Sequence, residues 1–329
     1  MPRKSGPSLR DVANYAGVST ATVSFVLNNT KPVAAETRVR VEQAIAALNY
    51  RRSPSALALR TGRHHAVGLL LPDLANPFFP ALAQAITEAA WRHGLALILA
   101  SAGADSQKES EAIMALAERT DGIIWIPGSS RSFLCPTVPM VILDRPNPQL
   151  SSYDSISADH HAGGAAAARL LQHLGRHRIG LLTGPADSPS ANSRRDGFLA
   201  ALPAADLLWQ CEAPFTLNLP PRATELLADP TLDAVFAASD VMAIGALRTL
   251  REHGRNVPDD VMLIGYDDIP WAALVEPQLT TVRQPVAELG DCALAALVGR
   301  IANPDSPVTH HLLPVSLIER ASTVIARQP

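Results

Sequence analysis

The sequence predicts an all-α helix-turn-helix head joined to a two-lobed α/β core of parallel sheets covered by helices. Three observations carry this. Two short amphipathic helical segments flank a glycine turn near the start of the chain. From Ala66 onward, short apolar runs alternate with amphipathic helices, and that alternation occurs twice. Charge divides the same way: residues 1–65 hold ten Lys/Arg against Asp11, Glu36 and Glu42, a net of +7, while the whole chain is −3, leaving −10 for the remainder.

The head occupies Ser8–Leu27. Leu9, Val12, Ala13 and Ala16 fall at i, i+3, i+4 and i+7 on one helical face, with Ser8 placed to cap it. Gly17 can take the positive φ of a sharp helix exit, and Ser19 can cap a second helix in which Val23 and Leu27 share a face. A third helix, Ala35–Leu48, supplies Val41, Ile45 and Leu48 to close a small core. The polar side of Ser19–Phe25 is then free to enter a major groove about as wide as one helix. A basic head on an acidic body suits phosphate binding; the alternative is a three-helix core that binds no DNA.

The core follows in order. VGLLLP (67–72), LALILA (95–100), GIIWIP (122–127) and MVILD (140–144) read as strands buried on both faces, with helices over Phe78–His93 and Gln107–Arg119 between them. RIGLLTG (178–184), DAVFAAS (233–239) and VMLIGYDD (261–268) repeat the pattern with helices over Ala162–Leu174, Asn192–Leu202 and Val241–His253. LTTVRQP (279–285) reads as a strand crossing back, Val286–Ile301 as a helix returning to the first lobe, and LLPVSLIER (312–320) as a closing strand pair.

Composition narrows the function. At 329 residues, 47% apolar and 18% charged, the chain suits a soluble protein of two or three domains. No run reaches the ~20 apolar residues of a membrane span, and the segment before Asp11 lacks the apolar core of a secretory signal. A cytoplasmic location is expected. Cys135, Cys211 and Cys292 lack metal-ligand spacing, so free thiols, no metal and no cofactor are expected. Asp267–Asp268 and His160–His161 are the candidates for paired acid/base groups. On a strand, neighbours point to opposite faces and neither pair converges. No Walker loop, H-E-x-x-H or G-x-S-x-G is present either, and an enzyme is not expected.

RDVANYAGVSTATVSFVLN, VAAETRVRVEQAIAALNY and ALALRTGR, followed by NPFF, LDRP, RIGLLTGP, AASDVMAIGAL, LIGYDD and LTTVRQP, resemble the lactose/galactose-repressor family over the whole chain and in the family's order. The resemblance implies a periplasmic-binding-protein-like core and a division into a DNA-binding head (1–52), a hinge helix and linker (53–65) and an effector-binding and dimerisation core (66–329). Within the core, lobe 1 would be about 66–160 and 286–312, and lobe 2 about 161–285 and 313–329.

It further implies that Thr20, Ala21 and Phe25, after the Ser19 cap, touch base edges, while Thr22, Ser24 and Asn28 address the backbone. Leu59 would wedge into the minor groove from a hinge helix capped by Ser53. Two departures stand out. Phe25 cannot bond guanine but can pack on a thymine methyl, unless it merely completes the small core. Ala34 gives the third helix a weaker start than a Ser.

Strand ends in doubly wound sheets hold ligands. By register with the family, the resemblance implies effector contacts at Asn76, Phe78, Phe79, Asp144, Arg145, Asp159, Arg194, Ser239 and Asp267, with Trp271 as a stacking platform. Ser239 stands where many sugar-binding relatives carry Asn. The expected protein is a sugar-responsive repressor, a homodimer on a near-palindromic operator, with no leucine heptad after Arg320 to build a tetramer. A purine or nucleoside effector is the alternative, and a sugar-binding module without DNA function a more distant one.

Overall fold

The computed structural model describes residues 7–50, 62–103, 105–128, 136–146 and 148–324. The hinge segment with Leu59, and Cys135, lie outside the described residues. The chain forms two compact units, Met1–His64 and His65–Pro329.

The first unit contains α1 (Leu9–Ala16), α2 (Thr20–Asn28) and α3 (Ala35–Ala47). Ser8 and Asp11 form a reciprocal capping box: the Ser8 amide donates to the Asp11 carboxylate at 2.7 Å, and the Asp11 amide to Ser8 Oγ at 3.3 Å. Those bonds hold the Asp11 carboxyl below its ordinary range. Gly17 is left-handed at φ 63°, and Ser19 caps α2 through the Thr22 amide at 3.1 Å. Ala34 makes no side-chain cap bond to α3. Val12, Ala13, Ala16, Val23, Val26, Val41 and Ala44 form the buried core. In α2 it is therefore Val26, one turn after Val23, that is fully buried, while Leu27 packs at the margin.

The second unit holds two six-stranded sheets. The first consists of β1 (Ala66–Leu71), β2 (Ala96–Ser101), β3 (Ile123–Trp125), β4 (Met140–Leu143), β5 (Asp154–Ala158) and β11 (His310–Leu313), in the order β11-β5-β4-β3-β1-β2, all parallel. In the second, β6 (Ile179–Thr183), β7 (Leu207–Glu212), β8 (Ala234–Ala237), β9 (Met262–Asp267), β10 (Thr280–Arg283) and β12 (Ser316–Ile318) run in the order β12-β10-β9-β8-β6-β7, with only β12 antiparallel. Helices α4 (Phe78–Arg92) and α10 (Val286–Ala302) cover one face of the first sheet, and α5 (Ser106–Ala117) the other. On the second sheet, α6 (His160–His173) and α7 (Pro189–Ala201) lie opposite α8 (Pro221–Leu227) and α9 (Asp240–Glu252). The chain passes between the sheets three times, after β5, β10 and β11.

Three expectations change here. Residues 312–320 are not a strand pair: β11 and β12 belong to different sheets, separated by Pro314. His160 and His161 open a helix and do not lie on a strand, so the opposite-face argument does not apply to them. The strands β5 and β7 and the helix α8 have no counterpart in the sequence reading. DSISA and LLWQCE carry polar residues that hide them among loops, and β7 is an edge strand exposed on alternate residues.

The candidate effector cleft

The strand ends place the charged groups. Asp144 directly follows β4, and Asp267 is the last residue of β9. Both sit at positive φ, 66° and 109°, a conformation that costs a non-glycine residue of order 1–3 kcal/mol and that recurs at functional sites. On the first lobe, Asp73 accepts from the amides of Ala75 (2.7 Å) and Asn76 (3.3 Å), and Asn76 Oδ1 accepts from Phe78 N at 3.1 Å, which starts α4. The Phe78 and Phe79 rings stand edge to face, 5.3 Å apart.

A narrow cavity of about 10 Å³ lies between the lobes, lined by Asn76, Phe78, Phe79, Asp144, Arg145, Ser190, Arg194, Phe215 and Asp267. Apolar residues close it from behind: Val241 and Ile269 of the second lobe join the core of the first. Arg145 is held by the Pro127 carbonyl at 3.1 Å, and its guanidinium faces the rings of Phe79 (5.4 Å) and Phe215 (6.0 Å). Arg194 Nη1 donates to the Ala238 carbonyl at 2.7 Å and stands 3.2 Å from Asp267 Oδ1, with its guanidinium stacked 3.9 Å over the Tyr266 ring. Gln284 Nε2 donates to the same Asp267 oxygen at 2.8 Å.

Three residues expected in the site stand outside that lining. Asp159 caps α6, accepting from Ala162 N at 2.9 Å. Ser239 caps α9 through Met242 N at 3.3 Å, and its hydroxyl is too short to reach past its own helix end. Trp271 lies on a surface turn, 39% exposed. Phe215 supplies the aromatic cover instead. Gly184 makes room for it, since a Cβ there would lie 2.3 Å from the ring. Ser190 lies within Ser188–Arg194, a stretch the sequence places at the strand ends, whereas Phe215 and Gln284 are not among the expected contacts, although Gln284 lies inside the LTTVRQP motif.

Burial and charge set the protonation states. Burial pushes the Asp267 carboxyl up, and Arg194 and Gln284 only partly offset this, leaving it at about 6. For Asp144 burial also acts upward, but the His160 contact and the Arg145 and Arg194 charges prevail and hold it at about 2. At neutral pH the cavity thus carries two carboxylates and two guanidiniums, in balance. Arg145 Nε is buried there without a hydrogen-bond partner among the described residues, and Asp144 Oδ1 is approached by His160 Nε2 at 3.2 Å. Asp268 faces away, paired with Arg283 and Arg320 at 2.6 Å each, so the two adjacent carboxylates diverge.

In the first unit, Thr20 and Ala21 are exposed on α2, and Thr22, Ser24, Phe25 and Asn28 are half-buried. Phe25 lies outside the small core, with Lys31 Nζ 4.9 Å from its ring centroid. Asn28 Nδ2 donates to the Ser24 carbonyl at 2.7 Å and to its Oγ at 3.0 Å, coupling two of the polar groups on that helix.

Among the described residues, no group of three or more His, Cys, Asp or Glu is placed to hold a metal, and no helix is long and apolar enough to cross a membrane. Cys211 and Cys292 are free thiols.

The head matches the profile of bacterial regulatory proteins of the lacI family over residues 8–53, and the core matches a periplasmic binding protein-like domain over residues 168–323. The ribose operon repressor of Bacillus subtilis is 37% identical over 96% of this chain and 98% of its own. The chain belongs to the lacI family. Two solved structures of this family show how far the likeness extends. The lac repressor dimer bound to operator and an anti-inducer superposes with a TM-score of 0.86 at 28% identity, over 98% of this chain and 100% of that one. A lacI-family regulator from Enterococcus faecium with bound ribose gives 0.69 at 29% identity, over 78% of this chain and 98% of that one. The ribose operon repressor of Escherichia coli, 34% identical over 96% of this chain and 99% of its own, is a further relative.

Proposed function

We propose that this lacI-family regulator represses carbohydrate-utilisation genes, binding a near-palindromic operator as a homodimer and responding to a small neutral sugar in the interlobe cleft. The observation that carries the reading is the cavity. Two carboxylates and two guanidiniums balance one another, which suits an uncharged polyhydroxylated ligand better than an anion. Alternating donors and acceptors can engage vicinal hydroxyls, and Phe78, Phe79 and Phe215 can cover the apolar face of a sugar ring. The cleft is nearly closed in this conformation, with a cavity of about 10 Å³, room for roughly one water, so a sugar ring enters only when the lobes part. A purine nucleoside or a disaccharide needs the lobes to part further.

In this reading residues 1–52 bind DNA, 53–65 form the hinge and 66–329 sense the ligand. Thr20, Ala21 and Phe25 face base edges, while Ser19, Thr22, Ser24 and Asn28 fix the helix on the phosphates. The protein acts in the cytoplasm and catalyses no reaction. The test is calorimetric titration of the full chain with ribose, other pentoses, hexoses, disaccharides and free purines, repeated with operator DNA present. One monosaccharide should bind and alter operator affinity. Purine binding with no monosaccharide binding would overturn the sugar assignment.

A further inference from the structure

His160 belongs to no part of the cavity lining, yet it touches two groups that do, one from each lobe. It is the first residue of α6 and is 3% exposed. Its Nε2 lies 3.2 Å from the Asp144 backbone carbonyl and 3.2 Å from Asp144 Oδ1, on the first lobe. Its Nδ1 lies 3.3 Å from Arg194 Nε and 3.3 Å from the Tyr266 hydroxyl, both on the second lobe.

An arginine can only donate. Nδ1 therefore presents its lone pair to Arg194, and the ring proton sits on Nε2, directed at Asp144. A second proton on Nδ1 would face the Arg194 N–H head-on. The surroundings agree: burial and the Arg194 charge favour the neutral ring over the opposing pull of Asp144. The other charged groups near this contact, Arg145 and Asp267, reach it only through Asp144 and Arg194.

Close helix packing fixes the arrangement. A Cβ at Gly164 would lie 2.0 Å from the Arg194 carbonyl, one at Gly197 2.0 Å from the His161 carbonyl, and one at Gly163 2.5 Å from the Tyr266 hydroxyl. These glycines let α6 press against α7 and Tyr266, so that His160 and Arg194 meet edge to edge.

The geometry points to His160 as a positioning residue of the effector site, a tie of fixed tautomer that joins Asp144 of one lobe to Arg194 of the other and so couples effector affinity to lobe closure. The coupling to affinity rests on the reading of the cleft as the effector site; the tie between the lobes does not. Asp144 has its backbone at φ 66°, and a donor bond to its carbonyl holds that turn in place.

Three variants separate the two halves of the contact. His160→Ala removes both. His160→Gln keeps an N–H donor near the Nε2 position, and His160→Asn keeps an acceptor near Nδ1 only. In the full chain, ribose affinity should fall tenfold or more for Ala and Asn, and recover to within about threefold of wild type for Gln. Equal behaviour of Asn and Gln in folded protein would overturn the tie.

A second measurement needs no ligand. Spin labels at the exposed positions Glu118 and Arg222, in a background with the three cysteines replaced, report the distance between lobes. His160→Ala should broaden that distribution and His160→Gln should not. A distribution unchanged by His160→Ala would overturn the proposal. If wild type binds none of the monosaccharides, the sugar reading fails, and the distance measurement alone decides for or against His160; if it binds one other than ribose, the affinities of the variants are read with that sugar.

Discussion

Asp267 shows what burial does to a single side chain. Held at about 6, it is ionised at neutral pH but takes up a proton under mild acid. A sugar hydroxyl donating to it favours the ionised form. Effector affinity should therefore fall as pH drops below about 6, approaching tenfold per unit. Asp267→Asn should abolish that slope and, by loss of a charge-assisted bond of ~1.5–3 kcal/mol, weaken binding about tenfold to a hundredfold. A titration series across pH checks both; an affinity flat from pH 5 to 8 removes Asp267 from the ligand contact. Folding stability has the opposite sign at this residue. The folded chain retains the Asp267 proton up to about 6 while the unfolded chain releases it near 3.8, so its contribution is lost as pH rises through that window. Asp144, held at about 2, contributes above 3.8 and loses that contribution as pH falls towards 2. On the head, Phe25 lies outside the small core and is half-buried. Phe25→Arg should change base preference at one position per half-site, as read by selection from a random DNA pool. A uniform loss of affinity for every sequence would assign Phe25 a packing role instead.

At the scale of elements, the packing of α6 on α7 governs the site. Glycine inside a helix costs about 1 kcal/mol relative to alanine, so three glycines within two helices need a reason in packing. At Gly164 and Gly197 the reason is backbone approaching backbone, and at Gly163 it is the Tyr266 ring. Gly197→Ala should destabilise the core by about 1–3 kcal/mol or more, since the clash is with the His161 carbonyl and not with a side chain that can turn away. Chemical denaturation measures it, and a loss under ~0.5 kcal/mol would mean that the helices slide apart at little cost. Most elements were legible because both sheets are parallel and covered on both faces, so their strands read as apolar runs. The exceptions follow the same rule in reverse. Only the third and last residues of DSISA are apolar, and LLWQCE runs along a sheet edge where burial alternates.

At the scale of the molecule, the two sheets share a chain that crosses between them three times, so whatever closes the cleft is transmitted to both lobes. Effector binding to the folded state should raise unfolding stability by about 2.7 kcal/mol at a hundred times its dissociation constant. Coupling to DNA must be reciprocal: if the sugar lowers operator affinity by some factor, operator must lower sugar affinity by the same factor. Calorimetry with and without operator tests this, and unequal factors would show that a further binding event takes part. Operator affinity should also fall steeply with salt, because the +7 head displaces counterions from DNA.

By itself the sequence determined what depends on local order along the chain. Helical periodicity and caps specified the three-helix head, the doubled run of apolar strands specified the two sheets, and motif ends located Asp144, Arg145 and Asp267 at the strand termini and Arg194 on the helix after β6. Such signals are local: each needs only a few neighbouring residues and the period of a helix or strand. Tertiary structure decided which of these termini converge. It made Asp159 and Ser239 helix caps, left Trp271 partly exposed, and brought in Phe215 from a segment whose sequence carries no site signature. It also turned His160 from one of two adjacent histidines into a contact spanning both lobes. The distance between residues 144, 160 and 194 is set by helix packing against a second sheet, and no periodicity within a single segment encodes it.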